Sequence, residues 1–166
     1  MVKITWHNGA VPENLKVKQV YGLICTKDGR FLMKVENKPK GRVFSLGGGT
    51  PESFDKDSEA TLRRELIEEV NTTIKNPILI GYQKIDLCDG SPQFAQLRMV
   101  AVIDEIGPKQ PDPDNGETYD RFLTNPQRVV ELLNWGEVGK NQVEGAVKIA
   151  KEQLGVEFTN LEEEWI

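Results

Sequence analysis

The chain has 166 residues and carries 21 Lys and Arg against 26 Asp and Glu, for a net charge of −5 and a pI near 5.1, a length that suits one domain with a sizeable core. This acidic balance disfavours stable binding to nucleic acid or an anionic membrane, no run approaches the roughly 18 apolar residues that span a bilayer, and Met1 to His7 contains no apolar signal region. Cys25 and Cys88 are too few for a disulfide scaffold or zinc cluster and suit a reducing cytoplasm, while the single histidine, His7, excludes a multi-histidine metal site and lies in a polar N-terminal stretch, so no Ser-His-Asp triad is expected around the Glu-rich segment 65–69 and chemistry there falls to carboxylates.

Lys16 to Thr26 and Arg30 to Glu36 are rich in β-formers and flank Lys27-Asp28-Gly29, whose Asp-Gly pair predicts a hairpin with the two strands antiparallel. Lys34, Lys38, Lys40 and Arg42 follow, either ordinary surface cations or partners for substrate phosphates, with Arg42 foremost. Val43-Phe44-Ser45-Leu46 predicts a short strand running into Gly47-Gly48-Gly49, backbone that can take positive φ and approach a phosphate closely. In the helix that comes next, Glu65, Glu68 and Glu69 are spaced i, i+3, i+4 and share a face, with Ala60, Leu62, Leu66, Ile67 and Val70 on roughly the opposite arc. Such a trio is either a solvated acidic face or a seat for a divalent cation. Like charges so close raise one another's proton affinity unless a cation absorbs them, and hard oxygen ligands select Mg²⁺ or Mn²⁺.

Beyond the helix, Pro77 to Leu87 and Gln93 to Ile106 predict two long strands turning at Asp89-Gly90-Ser91-Pro92. The acidic, Pro-containing stretch over 107–120 reads as a solvated hairpin loop leading to a short strand. Asn125-Pro126 predicts a capped helix through Leu133, and Asn141 to Leu154 a last helix ended by Gly155. Glu157 to Ile166 carries no assigned element. The order is α/β with mixed strand pairing.

The glycine corner and its helix resemble the Nudix hydrolases, MutT-like proteins whose box reads Gly, five residues, Glu, seven residues, then Arg-Glu-apolar-any-Glu-Glu-any-Gly-apolar. Arg64-Glu65-Leu66-Ile67-Glu68-Glu69-Val70 matches the second half. With Gly48 opening the box, the stretch before Arg64 is two residues too long. Counting from either end reaches Phe54 or Lys56, so the first glutamate is missing and Asp55, Asp57, Glu52 or Glu59 stand as substitutes. Asp55 has a competing role as helix N-cap. Asn71 takes the place of the closing glycine, the next best residue for a left-handed helix end, and Thr72 that of the last apolar residue.

The resemblance implies an α/β/α sandwich with a mixed β-sheet over about Val17 to Leu154, in a single domain of residues 1–166. It implies a hydrolase that cleaves the pyrophosphate linkage of a nucleoside diphosphate-linked substrate, such as a nucleoside triphosphate or an oxidised nucleotide, by attack of water with Mg²⁺. Glu65, Glu68 and Glu69 would ligate the metal, one of them serving as base. Arg64 would hold the carboxylates, Gly48 and Gly49 would position the substrate, and Asp112, Asp114 or Glu117 would add an acid. Dimers are common in the family. Tyr21, Phe44, Phe94, Tyr119 and Trp135 are either core residues or surfaces on which a base stacks. The alternative function is a nucleotide sensor that keeps the fold with little turnover, suggested by the irregular first half of the box.

Overall fold

A computed structural model describes residues 1–166. Its elements in chain order are β1 (Lys3–Asn8), β2 (Lys16–Cys25), β3 (Phe31–Lys38), β4 (Gly41–Ser45), β5 (Gly47–Gly49), α1 (Ser58–Val70), β6 (Thr72–Asp86), β7 (Phe94–Ile106), β8 (Asp120–Thr124), α2 (Pro126–Leu133), α3 (Gly136–Gln153) and β9 (Glu164–Trp165). The strands form one sheet in the order β1-β6-β7-β2-β3-β8-β9, with β4 on β3 and β5 on β2.

Strands buried on both faces lose the polar–apolar alternation of a half-exposed sheet. The run Leu23-Ile24-Cys25 is fully buried because Leu23 and Cys25 face one layer and Ile24 the other. Leu62, Leu66 and Val70 of α1 pack on the face that carries Val20, Ile24, Leu97 and Met99. Val129, Leu133, Val143, Ala146 and Ala150 of α2 and α3 cover the opposite face over Leu23, Met33, Val35 and Val100. The sheet is mixed: β2 runs parallel to β7, whereas the other pairings are antiparallel. The expected α/β/α sandwich is therefore the observed one.

Several expectations are revised. The β2–β3 hairpin closes with the single pair Cys25↔Phe31 and then splays. The gap fills with the next two strands, β4 running along β3 from Lys34↔Ser45 to Lys38↔Gly41, and β5 crossing to β2 at Val20↔Gly49, Tyr21↔Gly48 and Gly22↔Gly47. The glycines thus form a strand wedged into the hairpin, where a Cβ would meet Leu66 at Gly47, β2 at Gly48 and Glu65 at Gly49. The polar N-terminal stretch, given no element from the sequence, is the edge strand β1, paired with β6 from Lys3↔Asp86 to Asn8↔Gly81. The tail supplies β9, whose Trp165 packs on Phe122 at a centroid distance of 4.5 Å. Helix α3 begins at Gly136, five residues before the predicted start.

Candidate active site

Helix α1 is capped by Asp57, whose carboxylate accepts the Ala60 N–H at 2.8 Å. Asp55 is thereby released from capping. It receives two parallel bonds from Arg64, Nε to Oδ1 at 3.0 Å and Nη2 to Oδ2 at 2.9 Å, and further bonds from the Glu52 N–H and the Thr61 hydroxyl, each at 2.9 Å. These donors hold the Asp55 carboxyl far below the usual carboxylate range, the Arg64 hydrogen bonds contributing most. Of the acids expected as substitutes for the missing glutamate, Asp55 is the one that grips Arg64. The other end of Arg64 is shared: Nη1 donates to Glu65 at 3.0 Å and to Glu68 at 3.2 Å, and Nη2 also donates to the Thr50 carbonyl.

Glu65, Glu68 and Glu69 lie along one side of α1, but not opposite its apolar stripe. Glu65 and Glu69 are buried beside Leu62, Leu66 and Val70, whereas Ile67, expected on the apolar arc, is 43% exposed. Space for the two carboxylates comes from β5, which has no side chains. A Cβ on Gly49 would stand 2.5 Å from the Glu65 carboxyl carbon. Gly48 has φ +148° and its backbone N–H donates to Glu69 at 2.7 Å. The second oxygen of Glu69 is taken by the Lys34 ammonium, which also sits 4.7 Å over the Tyr119 ring.

Burial raises all three carboxyls. Glu65 is pushed up to about 7, its bonds to Arg64 opposing the shift and the charges of Glu69 and Glu68 adding to it. Glu68 is raised by burial and by the charges of Asp114 and Asp112, and Glu69 by burial despite Lys34 and the Gly48 N–H. Burial pulls Lys34 down, but the charge and hydrogen bond of Glu69 outweigh it and the net shift is upward.

The stretch 107–119 is a folded ledge rather than a solvated hairpin. Asn71, left-handed at φ 45°, ends α1, and its side-chain amide donates to the Pro108 carbonyl at 2.9 Å. Arg121 donates from Nη1 to the carbonyls of Val70 and Gly107. Within the ledge Asp112 is 5% exposed, its N–H donating to the Glu117 carbonyl and its Oδ1 accepting from the Asp114 N–H. As a result Asp112 and Asp114 meet Glu68, with one ligand oxygen from each inside a 4.8 Å span. Glu117 is exposed and does not join the cluster. Arg42 is also exposed, its guanidinium 4.6 Å from the Trp165 ring on the far strand β9. Of the cations expected near phosphates, Lys34 alone pairs with a carboxylate of α1, while Lys38 pairs with Glu36.

Arg64 and Lys34 thus pair with Glu65, Glu68 and Glu69, Asp55 already takes up part of the Arg64 charge, and Asp112 and Asp114 add two further carboxylates at Glu68. An all-oxygen donor set with excess negative charge fits a hard divalent ion. Sequence reasoning did not single out Arg98, which stands at period two with Gln96 in a run, Phe94 to Ile103, that is otherwise apolar; polar residues at that spacing in a doubly covered sheet are its only sequence signal. A groove of about 710 Å³ between α2 and α3, on the outer surface, touches none of the carboxylates of this site.

A mixed sheet between two helix layers, with a carboxylate helix docked on a glycine strand, is the architecture of the Nudix hydrolases, and this chain has that fold. It superposes on a Bacillus subtilis pyrophosphohydrolase with a TM-score of 0.65 at 18% identity, over 93% of each chain. A Nudix hydrolase from Nitrosomonas europaea gives 0.60 at 15%, over 80% of this chain and 90% of its own. A MutT structure described for Aliivibrio salmonicida and Vibrio cholerae gives 0.55 at 16%, over 78% and 98%. No family model and no curated protein matches the sequence.

Proposed function

We propose that this chain is a Mg²⁺- or Mn²⁺-dependent hydrolase that cleaves the pyrophosphate linkage of a nucleoside diphosphate-linked substrate by attack of water. The observation that carries this reading is the clamp of Asp55 on Arg64, which fixes Glu65 and Glu68 beside the glycine strand although the box lacks its first glutamate. Hydrolysis of an anhydride needs positioning and charge neutralisation more than covalent chemistry from the protein. A divalent ion bound by Glu65, Glu68 and Glu69, with Asp112 and Asp114 as further oxygen donors, would supply that neutralisation and lower the pKa of a bound water.

The protein's own groups have distinct tasks. Arg64 keeps the carboxylates from splaying; Gly48, expected to position substrate, is buried and spends its N–H on Glu69, so it acts as an anchor for that carboxylate, and only the half-buried Gly49 is left to meet a phosphate. One of the three glutamates would serve as base for the attacking water, held in reach of it by the same contacts that hold the cation ligands. Arg42 would join only by releasing Trp165.

The test is phosphate or pyrophosphate release from nucleoside triphosphates, dinucleoside polyphosphates, nucleotide sugars and capped RNA in Mg²⁺. Turnover of at least one class is expected, with a loss of a hundredfold or more in Glu68→Gln and Glu69→Gln. Nucleotide binding without hydrolysis by the unmodified protein would establish the sensor instead.

A further inference from the structure

On the α2–α3 side of the sheet, a cavity of about 270 Å³ is lined chiefly by Tyr21, Ser45, Gln83, Gln96, Arg98 and Trp135. Arg98 is 2% exposed and touches no carboxylate. Its Nε donates to Gln142 at 2.8 Å, its Nη1 reaches the Leu97 carbonyl at 3.4 Å, and its Nη2 meets no protein acceptor. Burying a guanidinium without an anion or a full set of acceptors is unfavourable, so the unmet donors call for a ligand. Ser45 adds a second unmet group in the same cavity, a buried hydroxyl with no partner.

The arginine is also held in one plane. Its guanidinium carbon lies 4.9 Å from the Tyr21 ring and 5.4 Å from the Trp135 ring. A relay of amides fixes the carbonyl that receives Nε: Gln142 donates to Gln83, Gln83 to Gln96, and Gln96 to Gln19. What remains free is Nη2 together with the second N–H of Nη1, in a cavity walled by aromatic rings. The complement is a flat ring with two acceptors on one edge. Guanine presents that pair in O6 and N7, whereas adenine sets a donor amine beside N7. The cavity is also next to the proposed chemistry, since Tyr21 pairs in register with Gly48 and Ser45 lies two residues before Gly47.

Resting on the nucleotide reading above, we propose that Arg98 is the specificity-determining residue and that it reads the O6/N7 edge, making guanine and hypoxanthine nucleotides the substrate class. The experiment uses monophosphates, which have no anhydride to cleave, and measures equilibrium binding to the full chain in Mg²⁺ by calorimetry. GMP and IMP are expected to bind alike, with AMP and 7-deaza-GMP weaker by about tenfold or more. Arg98→Lys keeps the charge but not the fork and should remove the preference. The 7-deaza comparison on the unmodified protein reads the same contact should that variant fold poorly. Equal affinity for GMP, AMP and 7-deaza-GMP would overturn the assignment, as would displacement of GMP by inorganic phosphate with the same dependence on Arg98, which would make the cavity an anion site. The two readings fail separately: guanine preference without hydrolysis of any triphosphate refutes the hydrolase alone, and hydrolysis indifferent to the base refutes the role of Arg98 alone.

Discussion

Asp55 is one methylene shorter than the glutamate that the box calls for, and it reaches Arg64 from a loop two residues longer than the box allows. Its two bonds to Arg64 sit at a half-buried rim, where charge-assisted hydrogen bonds contribute about 1.5 to 3 kcal/mol. Asp55→Asn is therefore expected to destabilise the protein by about 2 kcal/mol at pH 7 and to lower turnover, because Arg64 would no longer hold Glu65 and Glu68. Asp55→Glu, which restores the box chemistry, should retain most of both. The pH dependence has a definite sign. A carboxyl whose pKa is depressed on folding contributes stability that is present above its unfolded pKa of about 3.9 and is lost as pH falls below it. Urea denaturation of the protein and of Asp55→Asn should show a gap at pH 7 that narrows on acidification below about pH 4. A constant gap would mean that Asp55 acts by packing rather than charge.

Among the elements, β5 binds the fold to the site, and its glycines fail in different ways when given a side chain. At Gly48 a Cβ would fall 2.1 Å from the Val20 carbonyl oxygen on a residue with φ +148°, so both backbone and strand pairing must shift. Gly48→Ala is expected to lower stability by about 3 kcal/mol or more in urea denaturation. At Gly49 the obstacle is the Glu65 carboxylate, the far end of a flexible chain. Gly49→Ala should fold with a loss of about 1 kcal/mol yet turn over at least tenfold more slowly, since a carboxylate moved by 1 Å is out of place. The glycines and the acidic helix were legible because tight backbone approach and a 3.6-residue period leave marks in single residues. The wedge of β5 into the β2–β3 hairpin was not, because Asp28-Gly29 encodes a turn and says nothing of how far the strands stay paired. For β1 the alternation is confined to six residues at one end of the chain, too few to outweigh their polarity.

Over the whole molecule, the site is assembled from segments far apart in sequence, and that distance separates what could be read from what could not. The glutamates on α1 were legible from spacing, whereas the seating of Asp112 and Asp114 against Glu68 depends on Asn71 and Arg121 tying the ledge to the end of α1. The burial of Arg98 depends in turn on Gln142 of α3 and on Trp135 just before that helix being in place. The ledge makes cation binding a tertiary event, because the folded chain brings together acids that the unfolded chain scatters over roughly 45 residues of sequence. A ligand bound only by the folded state stabilises it by RT ln(1 + [L]/Kd), about 2.7 kcal/mol at a hundredfold excess over Kd, or several degrees in Tm for a chain of this size. Thermal melts in Mg²⁺ and in EDTA should differ by that amount. In Asp112→Asn and Asp114→Asn the difference should shrink, while their melts in EDTA should equal or exceed that of the parent because a repulsive contact with Glu68 is relieved. A Mg²⁺ shift as large in both variants as in the parent would confine the cation to α1, leaving the ledge outside the site.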